Sequence, residues 1–399
     1  MQTKKKFHLG LLSRILIAIV LGVAFGLFLP DEIVRVFVTF NSIFGNFLNF
    51  LIPLIIVGLI TPGISELGKA AGKWLAVTAL IAYASTIFAG FMAYGSSMLV
   101  LPRILSGKHV QAVQNPEDTM LQPFFTIEMP PLLSVMSALV LAFVVGVGIT
   151  RMQTKALFKG FVELRDIVVM VIERIIIPLL PLYIFGIFLN MTNSGQAFEV
   201  IVTFLGVVVF VFILTVILLL IQYGVAGIVG HKNPLKMLKT MLPAYMTALG
   251  TSSSAATIPV TLRQARKIGV SESVSAFTIP LFATIHLAGS TTKITSFAIA
   301  VILLSGGTVN IHLMIGFVLM LGVTMVAAPG VPGGAIMTAA GLLASMLGFN
   351  EAQVGLMIAT YIAIDSFGTA TNVTGDGALS VITDELVARS ERKNKQPVD

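Results

Sequence analysis

Toward the C-terminus the chain reads Tyr361-Ile-Ala-Ile-Asp365-Ser-Phe-Gly368-Thr-Ala-Thr-Asn372-Val-Thr-Gly-Asp376, inside a largely apolar stretch covering residues 354–382. Asp365, Asn372 and Asp376 are spaced i, i+7 and i+11, about 700° and 1100° of helical rotation at roughly 100° per residue, so they share one stripe. At a helix end in water such residues are ordinary. Between apolar flanks they are costly, and in a membrane helix they mark an ion or substrate path. Upstream, Thr284-Ile285-His286-Leu287-Ala288-Gly289-Ser290-Thr291-Thr292-Lys293 places small and hydroxyl residues in mid-span. That composition suggests a locally unwound helix whose carbonyls could coordinate a cation. A hard cation such as Na⁺ takes oxygen ligands, which exposed carbonyls and Asp376 would supply. His286 and Lys293 are seven residues apart and share a face. His286 reads either as a hydrogen-bonded polar side chain in a protein-lined cavity or as a proton site. Lys293 needs an anion, with Asp365, Asp376 and a substrate carboxylate as candidates.

The elements that must hold these residues are membrane helices. Of 399 residues, 56% are hydrophobic and only 11% are charged, which excludes an ordinary soluble domain. Apolar runs recur at 11–29, 34–60, 74–101, 132–147, 167–189, 200–229, 270–304 and 311–326. Most reach the roughly 20 residues that cross a bilayer. The net charge of +7 is gathered at Lys4-Lys5-Lys6, Lys69/Lys73, Arg151/Lys155/Lys159, Lys232/Lys236/Lys239, Arg263/Arg266/Lys267 and Arg389/Arg392/Lys393/Lys395. The connections at 191–197 and 305–310 carry none. This alternation is the positive-inside pattern, with both termini cytoplasmic and an even number of spans. It is a topology signal and not a nucleic-acid footprint. Residues 102–129, polar and mixed in charge, fit an external loop. The N-terminal lysines and the apolar run after them lack a clear cleavage site and read as the first span. The absence of cysteine excludes disulfides, thiolate catalysis and Cys-based metal sites.

Two hydrophobic stretches do not read as simple spans. Residues 233–268 have basic residues at both ends, so the segment enters and returns on one side; its middle, Gly250-Thr-Ser252-Ser253-Ser254-Ala-Ala-Thr257, is a helix-breaking tip. Residues 311–349 have no Lys or Arg, and two prolines and three glycines fall among the six residues 329–334. Non-helical backbone at membrane depth is tolerated only where it is buried in protein or lines a wet cavity. Two re-entrant hairpins are expected, one from each side, with tips meeting near the midplane, the arrangement of inverted repeats and broken helices in secondary transporters. The second tip lacks GxxxxGK[ST] and is no phosphate loop.

The block 234–388, with its SSSAATIPVT tip, TIHLAGS segment, GVPGGAIM tip and D-x6-NVTGD, resembles the dicarboxylate/amino acid:cation symporter family, which includes archaeal aspartate transporters and mammalian excitatory amino acid transporters. The resemblance implies an all-α polytopic membrane protein of eight transmembrane helices plus two re-entrant hairpins, an elevator-type fold assembled as a homotrimer in the plasma membrane. Scaffold spans 1–2 would occupy 1–70, and span 3 of the transport domain 71–104. The external loop and scaffold spans 4–5 would occupy 105–190. The remaining transport domain, 191–399, would hold span 6, hairpin 1 (233–268), span 7 (270–304), hairpin 2 (311–349) and span 8 (351–389). Carried over position by position, Asp365 binds a substrate amino group and Asn372 the α-carboxylate. Ser253 and Ser254, with Gly330 and Val331, hold the same carboxylate from the hairpin tips; Ser290, Lys293 and Gly368 complete the substrate set. Asp376 with carbonyls of Phe282, His286 and Asn372 matches one sodium site. Carbonyls of Thr284, Leu287, Met325, Val326 and Ala328 match another.

The departures bear on substrate. The family's usual NMDGT reads His286-Leu-Ala288-Gly-Ser290 here, and the missing aspartate at Ala288 removes a ligand of a third sodium site. Gly368 stands where the family's arginine grips an acidic side chain, and loss of a bidentate guanidinium favours a neutral amino acid. Lys293 matches a tyrosine near that arginine, so either the positive charge has moved between spans or Lys293 pairs with a pocket aspartate and replaces a coupling cation. The first expectation is cation-coupled uptake of a small neutral amino acid, with Na⁺ as coupling ion and H⁺ as the alternative. The second is an acidic amino acid or dicarboxylate held by Lys293. The third is an ion channel. An enzyme lacks support, because the spans hold no His/Glu metal pair and no nucleophile–base arrangement.

Overall fold

The computed structural model describes residues 11–69, 73–105, 121–152, 155–195, 197–326, 328 and 333–395. Among these residues there are helices and no strand. In chain order they are α1 (Leu11–Gly26), α2 (Asp31–Lys69), α3 (Lys73–Leu105), α4 (Val135–Arg151) and α5 (Ala156–Asn193). Then come α6 (Ala197–Gly230), α7 (Pro234–Thr251), α8 (Ser254–Lys267), α9 (Glu272–Ile285) and α10 (Ala288–Leu304). The last are α11 (Ile311–Val326), α12 (Gly334–Leu347), α13 (Glu351–Ala363) and α14 (Asp365–Lys395).

Helix is what such a sequence must form in lipid, where each backbone N–H and C=O has to be bonded within its own segment. Local signals fix several ends. Asn233 caps α7, its Oδ1 accepting from Lys236 N at 3.0 Å. Asn350 and Gln353 form a reciprocal capping box on α13, at 2.9 and 3.0 Å. Among the described residues, five helical stretches are long and apolar enough to cross a membrane: Asp31–Pro62, Ala76–Leu105, Ala156–Asn193, Phe204–Gly230 and Glu272–Leu304. The pair α13 and α14 makes a sixth, bent by 62°. At two of the eight expected spans, α1 and α4, the described helices have 16 and 17 residues. A rise of about 1.5 Å per residue makes them shorter than the ~30 Å hydrocarbon layer.

α1 lies along the second half of α5, and α2 packs on α4 and on both halves of α5. α3 runs along α10 and α11, while α14 is wrapped by α6, α7, α9 and α10. Every residue of α10 from Ala288 to Val301 is buried, which carries its hydroxyl and lysine side chains into the interior. α7 and α8 pack on each other and turn at Ser252 and Ser253, with Ser252 in the left-handed region at φ 49°. α11 and α12 also pack on each other.

Two breaks place the chemistry. The span 272–304 is interrupted at His286 and Leu287, where the composition suggested unwinding. The last span is also broken, at Ile364, so Asp365 is the first residue of α14 and not a mid-helix residue as its apolar flanks suggested. The reason is chemical. The Ile364 carbonyl opens α14 by accepting from Phe367 N at 3.2 Å and Gly368 N at 3.4 Å and also accepts from Lys293 Nζ at 3.3 Å, and the break sets the Asp365 carboxylate at a helix N-terminus, where the dipole favours an anion.

Candidate substrate and cation site

α10 and α14 approach so closely that a Cβ on Gly289 would lie 2.8 Å from the Gly368 carbonyl oxygen and from Thr371 Cβ. This contact lets Asn372 reach the N-terminus of α10. Its Oδ1 accepts from the backbone N–H groups of Gly289 (2.8 Å) and Ser290 (3.4 Å), and its Nδ2 donates to Ser290 Oγ at 3.1 Å. Tyr361 donates its hydroxyl to the same Oγ at 2.8 Å. The contact is testable in isolation. Gly289→Ala is expected to cost about 1–3 kcal/mol of stability through overpacking. Gly250→Ala, where a Cβ meets nothing within 4 Å, should be neutral or slightly stabilising, both read by thermal unfolding in detergent.

Lys293 is completely buried and Asp365 is 6% exposed. The ammonium lies 3.5 Å from Asp365 Oδ1 and 3.7 Å above the centre of the Tyr361 ring, in addition to its bond to the Ile364 carbonyl. Asp365 Oδ2 accepts from Gly333 N at 2.8 Å, which ties α14 to the first residue before α12. Gly368 completes the arrangement: a Cβ there would collide with Cε and Nζ of Lys293. The lysine of α10 therefore occupies the space a side chain at 368 would need. Of the three anions open to Lys293, the structure pairs it with Asp365.

The second cluster lies deeper along α14. Asp376 is fully buried, its Oδ1 2.8 Å from His286 Nδ1, and its Oδ2 has no hydrogen-bond partner. An unpartnered buried carboxylate oxygen is an atom that a hard cation would satisfy. The neighbouring carbonyls are those of a broken helix. Phe282 O accepts from His286 N at 2.8 Å and Leu287 O from Thr291 N at 2.9 Å, each keeping a second lone pair. Thr284 is exposed in the last turn of α9, its hydroxyl bonded to Leu281 O at 2.7 Å. Met325 is buried and Val326 ends α11, with Ala328 N donating to Met325 O at 3.3 Å.

The structure thus brings Ser290, Lys293, Asp365, Gly368 and Asn372 together at one crossing and His286 with Asp376 at another. Of the first-hairpin serines, Ser253 caps α8, its Oγ accepting from Ala256 N at 3.3 Å, and Ser254 is buried in the first turn. Gly330 and Val331 lie outside the described residues. Sequence reasoning missed Gly333, whose N–H holds Asp365, and Ser85 of α3 and Gln222 of α6, which adjoin His286. Gln222 carried a signal: it is the one side-chain amide in the apolar run 200–229, where a polar group is expensive.

Two broken membrane helices that cross with an ammonium, two carboxylates and an amide buried at the breaks define a secondary transporter of the discontinuous-helix class. The model of the sodium:dicarboxylate symporter family matches residues 11–386, and the chain belongs to that family; it is a transporter and not an enzyme. It is similar to the serine/threonine transporter SstT of Acinetobacter baumannii (strain AYE), 26% identical over 397 residues, covering 94% of this chain and 97% of that protein. The serine/threonine transporter SstT of Enterococcus faecalis is 24% identical over 425 residues, covering 98% and 94%. Mouse excitatory amino acid transporter 4 is 30% identical over 163 residues, 41% of this chain and 29% of that one.

Proposed function

We propose that the protein couples inward sodium flux to uptake of a small zwitterionic amino acid with a neutral side chain. Asp365 receives the substrate ammonium, and Asn372 with Ser290 holds the carboxylate end together with the hairpin tips. The observation that carries this reading is the enclosure of Lys293. It is the one buried lysine or arginine among the described residues, and its charge is already spent on Asp365, the Ile364 carbonyl and the Tyr361 ring. At 3.5 Å the pair is longer than a charge-assisted hydrogen bond of about 2.7–2.9 Å, and a carboxylate has roughly four lone-pair sites. Asp365 so retains acceptor capacity for an amine, whereas Gly368 offers no cation for an acidic side chain. The serine/threonine transporters among the relatives point the same way. Asp376 and the carbonyls of Phe282, His286 and Asn372 supply one sodium site, and those of Thr284, Leu287, Met325, Val326 and Ala328 a second.

The wider architecture is read in the same terms: eight spans and two hairpins in a plasma-membrane homotrimer, with both termini cytoplasmic. The mutual packing of α1, α2, α4 and α5 supports a scaffold beside which α3 and α6–α14 move as an elevator. The test is a thermal-shift panel. Serine, threonine or alanine should stabilise the protein in sodium and not in choline, and succinate and aspartate should not. A shift with succinate or aspartate alone would replace this reading by a second, an acidic amino acid or dicarboxylate substrate bound by Lys293. The observation favouring that second reading is that the ammonium occupies the side-chain space of Gly368, the place of the family's arginine. Under it, Lys293→Ala would abolish the shift with acids.

A further inference from the structure

We infer that the imidazole of His286 is the positioning residue of the Asp376 cation site: it consumes one carboxylate oxygen and leaves the other as the single carboxylate oxygen aimed at the ion. The inference rests on the reading of Asp376 as a sodium ligand, but concerns the His286 side chain, whose carbonyl alone that reading uses.

The geometry is directional. His286 sits at the break between α9 and α10 with extended backbone, φ −103° and ψ 98°, which turns its side chain out of the helical path. It is 1% exposed. An ionised carboxylate can only accept, so Nδ1–H donates to Asp376 Oδ1 at 2.8 Å and Nε2 is left as an acceptor. Ser85 of α3 answers it, donating its hydroxyl to Nε2 at 3.1 Å, and Gln222 of α6 donates Nε2–H to Ser85 Oγ at 3.0 Å. The run Gln222 to Ser85 to His286 to Asp376 has one sense throughout, and each bond polarises the next. It ties a carboxylate on α14 to three other elements. Gly375 makes the room: a Cβ there would lie 2.9 Å from His286 Cε1 and 2.7 Å from Gln222 Oε1. The edge of Phe282, 6.3 Å away between ring centres at 67°, holds the imidazole from the remaining side.

The consequence falls on Oδ2. With Oδ1 engaged, the carboxylate cannot rotate without breaking the run, and Oδ2 is the oxygen the structure leaves unpartnered. Asp365 and Asp376 are the only buried acids among the described residues, and Asp365 is paired with Lys293. Ala288 adds no carboxylate nearby. The site's one anionic ligand therefore depends on the aim of one carboxylate oxygen, the situation in which partners of a ligand matter most.

The test is a sodium titration of thermal stability on the full-length protein in detergent, without substrate, choline chloride holding ionic strength constant. The wild type is expected to gain stability with a defined sodium midpoint. His286→Ala should raise that midpoint on the order of 10–100-fold. His286→Asn, whose amide N–H can still donate to Oδ1, should return it to within several-fold of wild type. Ser85→Ala, which keeps the imidazole and removes the hydroxyl orienting it, should fall between. If His286→Ala does not fold, Ser85→Ala and Gln222→Leu carry the same test. A lower unfolding temperature for these variants with an unchanged sodium midpoint would mean that His286 only fills space, and would overturn the inference. A wild type indifferent to sodium would overturn the sodium reading itself and this inference with it.

Discussion

Gly368→Arg alone is expected to abolish ligand-induced stabilisation and to lower the unfolding temperature, whereas Gly368→Arg combined with Lys293→Tyr is expected to fold and to be stabilised by aspartate. The single change fails on two counts. Even a methyl at 368 meets Cε and Nζ of Lys293, so the lysine must leave Asp365. The arginine then adds a second buried cation where Asp365 is the only anion, and like charges at such depth repel with little screening. Gly368→Ala separates the two effects. The far end of a lysine yields easily, so the stability loss should be small, with the pair displaced and the neutral amino acid bound more weakly. In the double variant one cation is again set against one carboxylate. The guanidinium now projects from α14, in the arrangement the family resemblance associates with acidic substrates, and can meet a carboxylate in two parallel bonds. Thermal shifts with serine, aspartate and succinate read out the exchange. A double variant that still responds to serine and ignores aspartate would show that the choice between neutral and acidic substrates is made elsewhere.

The readable part of this site was the part written in local signals. Small and hydroxyl residues at 284–292 and the Ser-rich tip mark where helices break, because those residues weaken the helix or compete for its backbone. The two aspartates stood out because charge in an apolar run has few explanations. The break at Ile364 was not readable. Ile362-Ala-Ile-Asp365 holds no glycine or proline, and the ammonium that joins the Phe367 and Gly368 N–H groups on the Ile364 carbonyl comes from 71 residues away. The partner of Lys293 stayed open among three anions for the same reason: spacing gives a face, and only the crossing of α10 over α14 at Gly289 selects Asp365. His286 was left between two readings because the groups that orient it, Ser85 and Gln222, lie on α3 and α6, distant in sequence and close only in space. Gly368 was legible as a missing arginine. That it is glycine because a lysine fills its side-chain space was not.

Lys293→Met should have the largest effect on the substrate-free protein. Removing one partner of a buried ion pair strands the other, and such changes cost about 3–5 kcal/mol. Here the stranded group would be Asp365, which keeps the Gly333 N–H but loses its countercharge. The Ile364 carbonyl and the face of Tyr361 lose their cation as well. An amino acid can repair part of this, since its ammonium brings a positive charge to the same carboxylate. The shift produced by saturating serine or threonine should consequently be larger in Lys293→Met than in the wild type, although both start and end at lower temperatures. A dicarboxylate carries no such charge and should give no shift. Lys293→Met/Asp365→Asn sharpens the distinction. With both charges gone, stability should recover toward wild type, because deleting a whole buried pair is far less costly than deleting half of it. Binding should not recover, because the acceptor for the ammonium is lost. Unimpaired stability in Lys293→Met would show that the ion pair contributes nothing to the empty site. Normal stability together with lost serine binding would place the ammonium against the substrate itself, and the lysine would then be a binding group and not an internal substitute for the ligand's amine.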